Sequence, residues 1–337
     1  MSMMSRSDMN QCGGSTPALV GLDWGTSSLR AYLFGRDGGV VERRARPWGI
    51  QYLPAGGYAE AFQVVAGEWL ERCPDLPVLA AGMVGGRNGW REVPYVECAA
   101  DATAIAAGVV PFESECGLIH LVPGLLQRGT EPDVMRGEET QVFGALALKS
   151  DLAADALIIL PGTHCKWARI TRGRVTGFTT YLTGELFALL RDHSMIGRPA
   201  REATGGTDAA RCAAFRRGLD AARASGAAGI AGKLFTTRSL FLCGELAAAD
   251  SLDYVSGLLV GEELRSALAT IGGPCPPCVL VGDAALCGRY REAFAAFGVG
   301  DVPSLDDTGP LGLWRIARAA GLIACLGTTL GEPACRD

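Results

Sequence analysis

The chain has 337 residues, of which 48% are hydrophobic and 20% are charged, and it contains 46 glycines. This length exceeds what one hydrophobic core usually supports, so we expect an α/β protein with two lobes. The formal net charge of -5 argues against a nucleic-acid partner, which normally requires a basic face. No apolar run approaches the ~20 residues that span a bilayer, so no membrane association is expected. The twelve scattered cysteines are typical of free thiols in the cytoplasm.

The first half of the chain predicts a disordered tail followed by a mixed α/β lobe. Residues 1–16 are polar and lack the apolar segment of a signal peptide. The lobe begins with three strands, the last two joined by a hairpin turn at Arg36–Gly39. In chain order the predicted elements are strands Ala18–Leu22, Leu29–Phe34 and Val40–Arg46, a helix near Tyr58–Cys73, strand Val78–Val84, helix Ala102–Ala107, strand Gly117–Val122 and a helix from about Gly137.

The second half of the chain begins with the same three-strand pattern, which predicts two related lobes. Its predicted strands are Leu157–Leu160, Lys166–Thr171, Arg174–Thr179, Ser239–Leu242 and Val279–Val281, and its predicted helices are Gly184–Asp192, Asp208–Arg223, Ala228–Phe235, Leu252–Ala269 and Leu311–Ile323. We therefore expect an N-terminal lobe over 17–150 and a C-terminal lobe over 151–308, with a nucleotide cleft between them. The remainder, 309–337, is expected to pack back on the first lobe or the hinge.

The most informative segment lies at the end of the first predicted strand. An apolar run leads to Asp23, and a turn of small residues, Gly25, Thr26 and Ser27, follows. Such a turn lets backbone N–H groups face a phosphate, and a carboxylate at its mouth suits hydrated Mg²⁺. The segment therefore predicts a site for a metal–nucleotide complex, with a simple hairpin turn as the alternative.

A second Gly-Thr turn, Pro161–Trp167, holds the same position in the second lobe. With Gly162 and Thr163 facing the first turn, the two turns could hold the ends of a triphosphate. Two further junctions of glycine and an acidic residue, at Gly244 and at Gly282–Asp283, are candidates for the nucleoside pocket. Each of these two junctions also fits an ordinary turn that uses glycine for its geometry.

Two other segments predict the acceptor side of the reaction. Glu138 and Glu139 are adjacent carboxylates at a predicted helix start, where one could take a proton from an attacking hydroxyl or simply favour the helix dipole. The loop Gly82–Tyr95 offers Arg87 for a carboxylate, Asn88 for sugar hydroxyls and Trp90 as an aromatic wall. A purely structural loop is the alternative for this segment.

The one close cysteine pair, Cys275 and Cys278, is compatible with a redox dithiol or half a zinc site. No second pair completes a tetrahedral shell, and two prolines between the cysteines favour a loop before the next strand.

Together these motifs resemble the actin-like ATPase and sugar-kinase superfamily, which has a ribonuclease H-like fold with a mixed sheet in each lobe. The first turn is similar to its phosphate-1 loop, Pro161–Trp167 to phosphate-2 and Val279–Leu286 to its adenosine motif. Within that superfamily, the residues 22–31, 89–95, 135–141, 161–167 and 183–187 are most similar to those of the 2-dehydro-3-deoxygalactonokinase family. The resemblance covers roughly residues 18–326.

The resemblance implies phosphorylation of the 6-hydroxyl of 2-dehydro-3-deoxy-D-galactonate by ATP with Mg²⁺, in galactonate catabolism. Asp23 would hold Mg²⁺ through water. Related kinases carry an aspartate base at a helix start, whereas this chain has Glu138 and Glu139 there, and we favour Glu138. A kinase of another sugar or sugar acid, or a non-catalytic ATP-binding regulator, is the alternative. The oligomeric state is left open, a homo-oligomer included.

Overall fold

A computed structural model describes residues 16–271 and 273–323 of the chain. Apart from Thr16, the predicted tail therefore lies outside the described residues, and so does everything after Ile323. The described residues form two compact units. Unit 1 holds the residues up to Leu148 together with those from Asp307 onward, and unit 2 holds Lys149–Asp306.

Unit 1 is built on a six-stranded mixed sheet in the order β3-β2-β1-β4-β7-β6. The hairpin of β1, β2 and β3 is antiparallel, whereas β4 pairs parallel to β1 and β7 parallel to β4. A small second sheet has the order β5-β8-β9. The strands are β1 (Pro17–Trp24), β2 (Leu29–Gly35), β3 (Val40–Arg46), β4 (Val78–Gly82), β5 (Val96–Glu97), β6 (Val110–Ser114), β7 (Gly117–Leu121), β8 (Leu125–Gln127) and β9 (Asp133–Met135).

The helices of unit 1 are α1 (Gly57–Phe62), α2 (Glu68–Arg72), α3 (Ala102–Ala107), α4 (Glu138–Leu148) and, from the end of the chain, α11 (Thr308–Ala319). A π-helical turn, Gln63–Gly67, joins α1 to α2, so the helix predicted near Tyr58–Cys73 is confirmed with this local change. Helix α11 packs closely on α4, because Gly144 faces the backbone of Thr308 and Gly312 faces that of Thr140. Any side chain at either glycine would push the two helices apart.

Unit 2 repeats the strand order of unit 1 in a five-stranded sheet, β12-β11-β10-β13-β14. As in unit 1, the first three strands are antiparallel and the next two are parallel to the first. This repetition confirms the two related halves that the sequence predicted. The strands are β10 (Asp155–Leu160), β11 (Cys165–Thr171), β12 (Arg174–Tyr181), β13 (Cys278–Val281) and β14 (Ser304–Leu305), and the helices are α5 (Thr183–His193), α6 (Arg198–Glu202), α7 (Asp208–Arg223), α8 (Thr236–Leu242), α9 (Ser251–Ile271) and α10 (Ala284–Ala296).

Two predicted elements of unit 2 are wrong. The helix predicted over Ala228–Phe235 is instead a pair of short 3-10 turns, Gly226–Ala228 and Ala231–Lys233. The strand predicted over Ser239–Leu242 is the second half of helix α8. A short apolar run has no periodicity that separates a strand from a helix, and here the tertiary contacts decide.

Each unit has its own buried core. In unit 1 the core lies between the sheet and the α1–α2 segment and includes Trp24, Phe62 and Trp69. In unit 2 one cluster surrounds Trp167 and Phe294, and a second lies around Tyr254. Near-continuous buried apolar runs along the central strands, such as Ala156–Leu160 of β10, build these cores, because both faces of a central strand are covered.

The segment Cys275–Cys278 leads into β13 as the predicted loop, and the two sulfur atoms lie 3.4 Å apart as free thiols. Among the described residues no helix has the length and apolar character that spanning a bilayer requires.

Candidate active site

In unit 1 the predicted aspartate lies near the carboxyl end of the central strand β1. The Asp23 Oδ2 atom accepts a hydrogen bond from Arg30 at 3.1 Å across the β1–β2 hairpin. Burial raises the pKa of the Asp23 carboxyl above its usual value, and the Arg30 guanidinium opposes that rise. The carboxylate is therefore partly withdrawn from solvent at the edge of the sheet where ligands bind in open α/β sheets.

The turn that follows Asp23 is held by bonds within the turn and from the segment after β3. Gly25 N–H donates to the Ser28 carbonyl at 2.9 Å, so this donor is not aimed at an anion. Gly49 packs against the backbone of Thr26, where an added Cβ would stand 2.1 Å from the carbonyl oxygen. The side chains of Thr26 and Ser27 are exposed. Binding of a phosphate at this turn would therefore fall to Thr26 and Ser27, and the sequence prediction had included Gly25.

Three predicted segments of unit 1 meet at the end of β1. In the parallel pairing Trp24 lies opposite Gly82, and a Cβ at Gly82 would stand 2.6 Å from the Trp24 carbonyl oxygen. A Cβ at Gly137 would in turn lie 3.2 Å from the Gly82 Cα. Both glycines have positive φ, 96° and 107°. The Asp23 turn, the Gly82–Tyr95 segment and the start of α4 are thus brought together by backbone contacts that only glycine allows.

Glu138 and Glu139 both bind main-chain donors at the start of α4. Glu138 Oε2 accepts from the Arg136 N–H at 3.0 Å, and Glu139 Oε2 accepts from the Gly137 N–H at 2.6 Å. Glu139 is fully buried, whereas Glu138 is half-buried. Burial, followed by the charge of Glu138, raises the pKa of Glu139 to about 8. Glu139 therefore carries a proton at neutral pH, and the half-buried Glu138 is the more accessible of the two carboxyl groups.

The Gly82–Tyr95 segment presents two of its three predicted binding residues to solvent. Arg87 and Asn88 are exposed, and the Asn88 carbonyl accepts from the Tyr58 hydroxyl at 3.1 Å. Trp90 instead packs into the core of unit 1, stacked on Tyr58 at 5.5 Å between ring centroids and edge-on to Trp24 at 5.9 Å. The Trp90 ring thereby supports the loop and the end of β1 from beneath. Its predicted contact with sugar stays a prediction.

A residue that the sequence analysis passed over lies at the centre of this arrangement. Arg136 is only 7% exposed, its Nη2 donates to the Val93 carbonyl at 2.7 Å, and its guanidinium lies 4.2 Å from the centroid of the Tyr95 ring. Among the described residues its Nε and Nη1 atoms find no hydrogen-bond partner. The only sequence signal was its place directly before Gly137 and the two glutamates.

In unit 2 the second Gly-Thr turn packs against the start of α5. The Glu185 N–H donates to the Thr163 carbonyl at 3.0 Å, and a Cβ at Gly184 would lie 2.4 Å from the Gly162 carbonyl oxygen. The ring of His164 lies 2.5 Å from the Glu185 carboxylate through its Nε2 atom. Gly162 itself has open space where a side chain would stand. This open glycine turn beside a helix N-terminus is a suitable anion site.

A buried carboxylate holds strand β11, which follows the Gly162–Thr163 turn, in place by hydrogen bonds. Glu263 of α9 is 2% exposed and accepts from Trp167 Nε1 at 2.7 Å, from the Tyr290 hydroxyl at 2.7 Å and from the Thr183 hydroxyl. Burial raises its pKa, although all of these donors oppose the rise. Four elements, β11, α5, α9 and α10, are therefore tied to one side chain. Nothing in the local sequence pattern marks Glu263, because its donors come from distant parts of the chain.

A cavity of about 300 Å³ opens beside the second turn, within unit 2. It is lined on one side by Gly162 and Gly184 and on others by residues of α5, α9 and α10, among them Phe187, Ser256 and Arg289. Its volume falls at the lower end of the range for small-ligand pockets.

The two junctions predicted to bind the nucleoside, at Gly282–Asp283 and at Gly244, have different structures. A Cβ at Gly282 would lie 3.4 Å from the Pro161 carbonyl oxygen, and Asp283 caps α10 by accepting from the Leu286 N–H at 3.0 Å. This junction therefore adjoins the second turn. The strand predicted before Gly244 is helical, so Gly244 ends α8 with φ of 74°, and the interpretation of a strand–glycine junction there is wrong.

The donors present fit a metal held mainly by its nucleotide. No group of three or more histidine, cysteine, aspartate or glutamate side chains in the described part of the chain could enclose a metal ion. A single carboxylate such as Asp23, with water and phosphate oxygens supplying the other positions, is the usual protein share of a Mg²⁺–nucleotide site.

The repeated sheet order, with a small-residue turn after the first strand of each unit, defines the actin-like ATPase and sugar-kinase class, as the sequence predicted. The chain belongs to the 2-keto-3-deoxy-galactonokinase family, whose model matches residues 23–316. This assignment confirms the resemblance drawn from the motifs.

Named relatives match nearly the whole chain. The 2-dehydro-3-deoxygalactonokinase of Escherichia coli (strain K12) is 33% identical over 306 residues, which covers 90% of this chain and 99% of the relative. DgoK1 of Rhizobium meliloti (strain 1021), named as a probable 2-dehydro-3-deoxygalactonokinase, is 36% identical and covers 88% and 96%. A crystal structure of a candidate 2-dehydro-3-deoxygalactonokinase from Sinorhizobium meliloti matches with a TM-score of 0.80 at 36% identity, covering 89% of this chain and 98% of that one.

Proposed function

We propose that this protein is an ATP-dependent kinase that phosphorylates the 6-hydroxyl of 2-dehydro-3-deoxy-D-galactonate. The observation that carries the proposal is the family match over residues 23–316, together with 33% identity to a full-length relative of that name. The products are the 6-phosphate and ADP, as galactonate catabolism requires. Consumption of ATP and the nine free cysteines among the described residues fit a cytoplasmic enzyme.

Unit 1 supplies the acceptor side in this proposal. The sugar hydroxyl oxygen attacks the γ-phosphorus, the bond to the β-phosphate oxygen breaks, and the hydroxyl proton passes to a carboxylate. Glu138 takes this proton, because the raised pKa of Glu139 leaves Glu139 already protonated at neutral pH. Main-chain bonds to both glutamates hold the start of α4 in place for this step.

Unit 2 supplies the nucleotide side. The turn at Gly162 and Thr163 binds phosphate oxygens with backbone N–H groups, next to the N-terminus of α5. The cavity bounded by Gly162, Ser256 and Arg289 accommodates the nucleoside, and Gly282 lies close enough to the turn to belong to the same site. Gly244 has no part in this version of the nucleotide site.

Mg²⁺ bound to ATP would neutralise phosphate charge, with Asp23 contributing through water. The partial burial of Asp23 and its place beside the Thr26–Ser27 turn support this role.

The proposal is tested by measuring ADP release from the purified protein with 2-dehydro-3-deoxy-D-galactonate, its gluconate epimer and a neutral hexose, each with and without Mg²⁺. Mg²⁺-dependent turnover on the galactonate compound, at least tenfold above the others, is the expected result. Preference for a different acceptor would still support kinase activity but would contradict the proposed substrate. ATP binding without any turnover would instead support a non-catalytic regulator.

The same assay tests the proposed catalytic role of Asp23. Asp23→Asn is expected to lower turnover by about 10²–10³-fold, the usual cost of removing one group that stabilises transition-state charge. Asp75→Asn, an exposed aspartate outside the site, is the matched control and should retain activity. If Asp23→Asn and Asp75→Asn have equal turnover, Asp23 has no catalytic role.

A further inference from the structure

Arg136 carries a buried positive charge whose hydrogen-bonding capacity is mostly unused. Its side chain is more than nine-tenths buried, and within the described part of the chain only Nη2 has a hydrogen-bond partner, the Val93 carbonyl. Within the described residues, Nε and both protons of Nη1 lack acceptors. A buried guanidinium left in this state is strongly destabilising unless a further acceptor completes its hydrogen bonds.

The carboxylates closest in sequence do not complete that shell. Glu138 accepts from the main-chain N–H of Arg136, and Glu139 accepts from Gly137. Glu139 is also uncharged at neutral pH, because burial raises its pKa to about 8. The ring of Tyr95 covers one face of the guanidinium but accepts no conventional hydrogen bond from it. The site therefore retains a demand for an anionic acceptor.

Glycine lets the Arg136 guanidinium pack directly against the backbone of the Gly82–Tyr95 segment. A Cβ at Gly85 would stand 3.1 Å from Nη1, and one at Gly86 would stand 3.8 Å from the Arg136 Cδ. The same glycine-rich segment begins at Gly82, which contacts both Trp24 and Gly137. Arg136 thus belongs to the convergence of segments that also presents Asp23 and Glu138.

We propose that Arg136 is the specificity-determining residue for the acidic substrate, with its Nη1 group binding the substrate carboxylate. This inference rests on the proposed function, which requires a sugar acid. Arg87, the residue that the sequence favoured for this role, is exposed, and an exposed ion pair contributes little binding free energy. A desolvated guanidinium discriminates strongly, because a neutral substrate leaves it unpaired.

The test compares the sugar acid with its neutral C1 amide as acceptors, using purified full-length protein. Arg136→Gln should lower kcat/KM for the acid by about 100-fold, mainly through KM, while kcat/KM for the amide changes by less than about threefold. The ratio between the two acceptors is a readout that a general loss of structure would not change selectively. Arg91→Gln removes an exposed arginine of the same segment and should leave both acceptors unaffected.

An equal loss on both acceptors, or no loss on either, would overturn the assignment. If Arg136→Gln does not fold, as judged by circular dichroism, Arg136→Lys keeps the charge and should still lower the acid-to-amide ratio about tenfold. An unchanged ratio in that variant would also overturn it. Should the wild type phosphorylate no acid, the proposed function fails by itself. Calorimetric titration of the sugar acid into the wild type and Arg136→Gln then still decides whether Arg136 binds the carboxylate.

Discussion

The buried carboxyl of Glu139 predicts a specific dependence of stability on pH. Its pKa is raised from 4.5 to about 8 in the folded protein, first by burial and then by the charge of Glu138. Between these values the folded state holds a proton that the unfolded state has lost. The free energy of unfolding must therefore fall as pH rises from about 5 to about 8. Glu139→Gln keeps the shape of the neutral carboxyl, removes the titration and should abolish this part of the fall.

The size of the effect follows from the two pKa values. At 1.36 kcal/mol for each pH unit, a group that titrates at 4.5 unfolded and near 8 folded contributes about 4 kcal/mol of stability at pH 5 and well under 1 kcal/mol at pH 8. The wild type should therefore lose about 3 to 4 kcal/mol more than Glu139→Gln over this range. This difference is a substantial fraction of the total stability of an ordinary domain.

Urea unfolding followed by tryptophan fluorescence at pH 5, 6, 7 and 8 measures this difference. Five of the six tryptophans lie in unit 1 with Glu139, so the signal reports mainly on the relevant unit. Glu131→Gln, which removes an exposed carboxylate, should follow the wild type at every pH. If the curves of wild type and Glu139→Gln run parallel from pH 5 to pH 8, the reasoning about the buried proton is refuted.

Three further substitutions test other parts of the site. Glu138→Gln should reduce kcat by about 10²-fold or more at pH 7, since it removes the proposed base, whereas Glu139→Gln should retain most of the turnover. Gly184→Ala should raise KM for ATP about tenfold, because its Cβ would lie 2.4 Å from the Gly162 carbonyl oxygen and must displace the turn. Glu263→Ala should lower the free energy of unfolding of unit 2 by about 3 kcal/mol, since three donors, two of them buried, lose their acceptor.

Matched controls separate these effects from general damage. Gly232→Ala meets open space and should leave KM for ATP unchanged. Glu262→Ala loses only an ion pair with Arg265 on the helix surface and should cost less than about 1 kcal/mol in urea unfolding. If Glu138→Gln turns over as fast as the wild type, Glu138 is not the catalytic base. If Gly184→Ala has the same KM for ATP as the wild type, the turn at Gly162 does not contribute to ATP binding.

The strands and turns at the centre of each unit could be predicted from sequence because their signals are local. The apolar run before Asp23, the turn at Arg36–Gly39 and the second Gly-Thr turn at Gly162 each fall where predicted. The repeated sheet order followed from the repetition of that pattern. The segment before Gly244 was assigned wrongly, because four apolar or small residues are too few to show a period.

The roles of particular side chains depended on contacts between distant segments. Arg136 and Glu139 differ from many other arginines and glutamates only in burial, and around Arg136 the contacts come from Val93 and Tyr95, about 40 residues earlier in the chain. Glu263 acquires its three donors from parts of the chain up to 96 residues away. No periodicity encodes such partners.

The sequence by itself determined the class of fold, the family and the position of both glycine turns, since these rest on residue types at fixed local spacing. The tertiary structure decided that Glu139 is protonated at neutral pH and that Gly25 uses its N–H within the turn. It also decided that the Nε and Nη1 atoms of Arg136 find no hydrogen-bond partner among the described residues. The physical reason is desolvation. The free energy of a charge or a hydrogen-bond donor depends on what surrounds it, and only the folded chain supplies those surroundings.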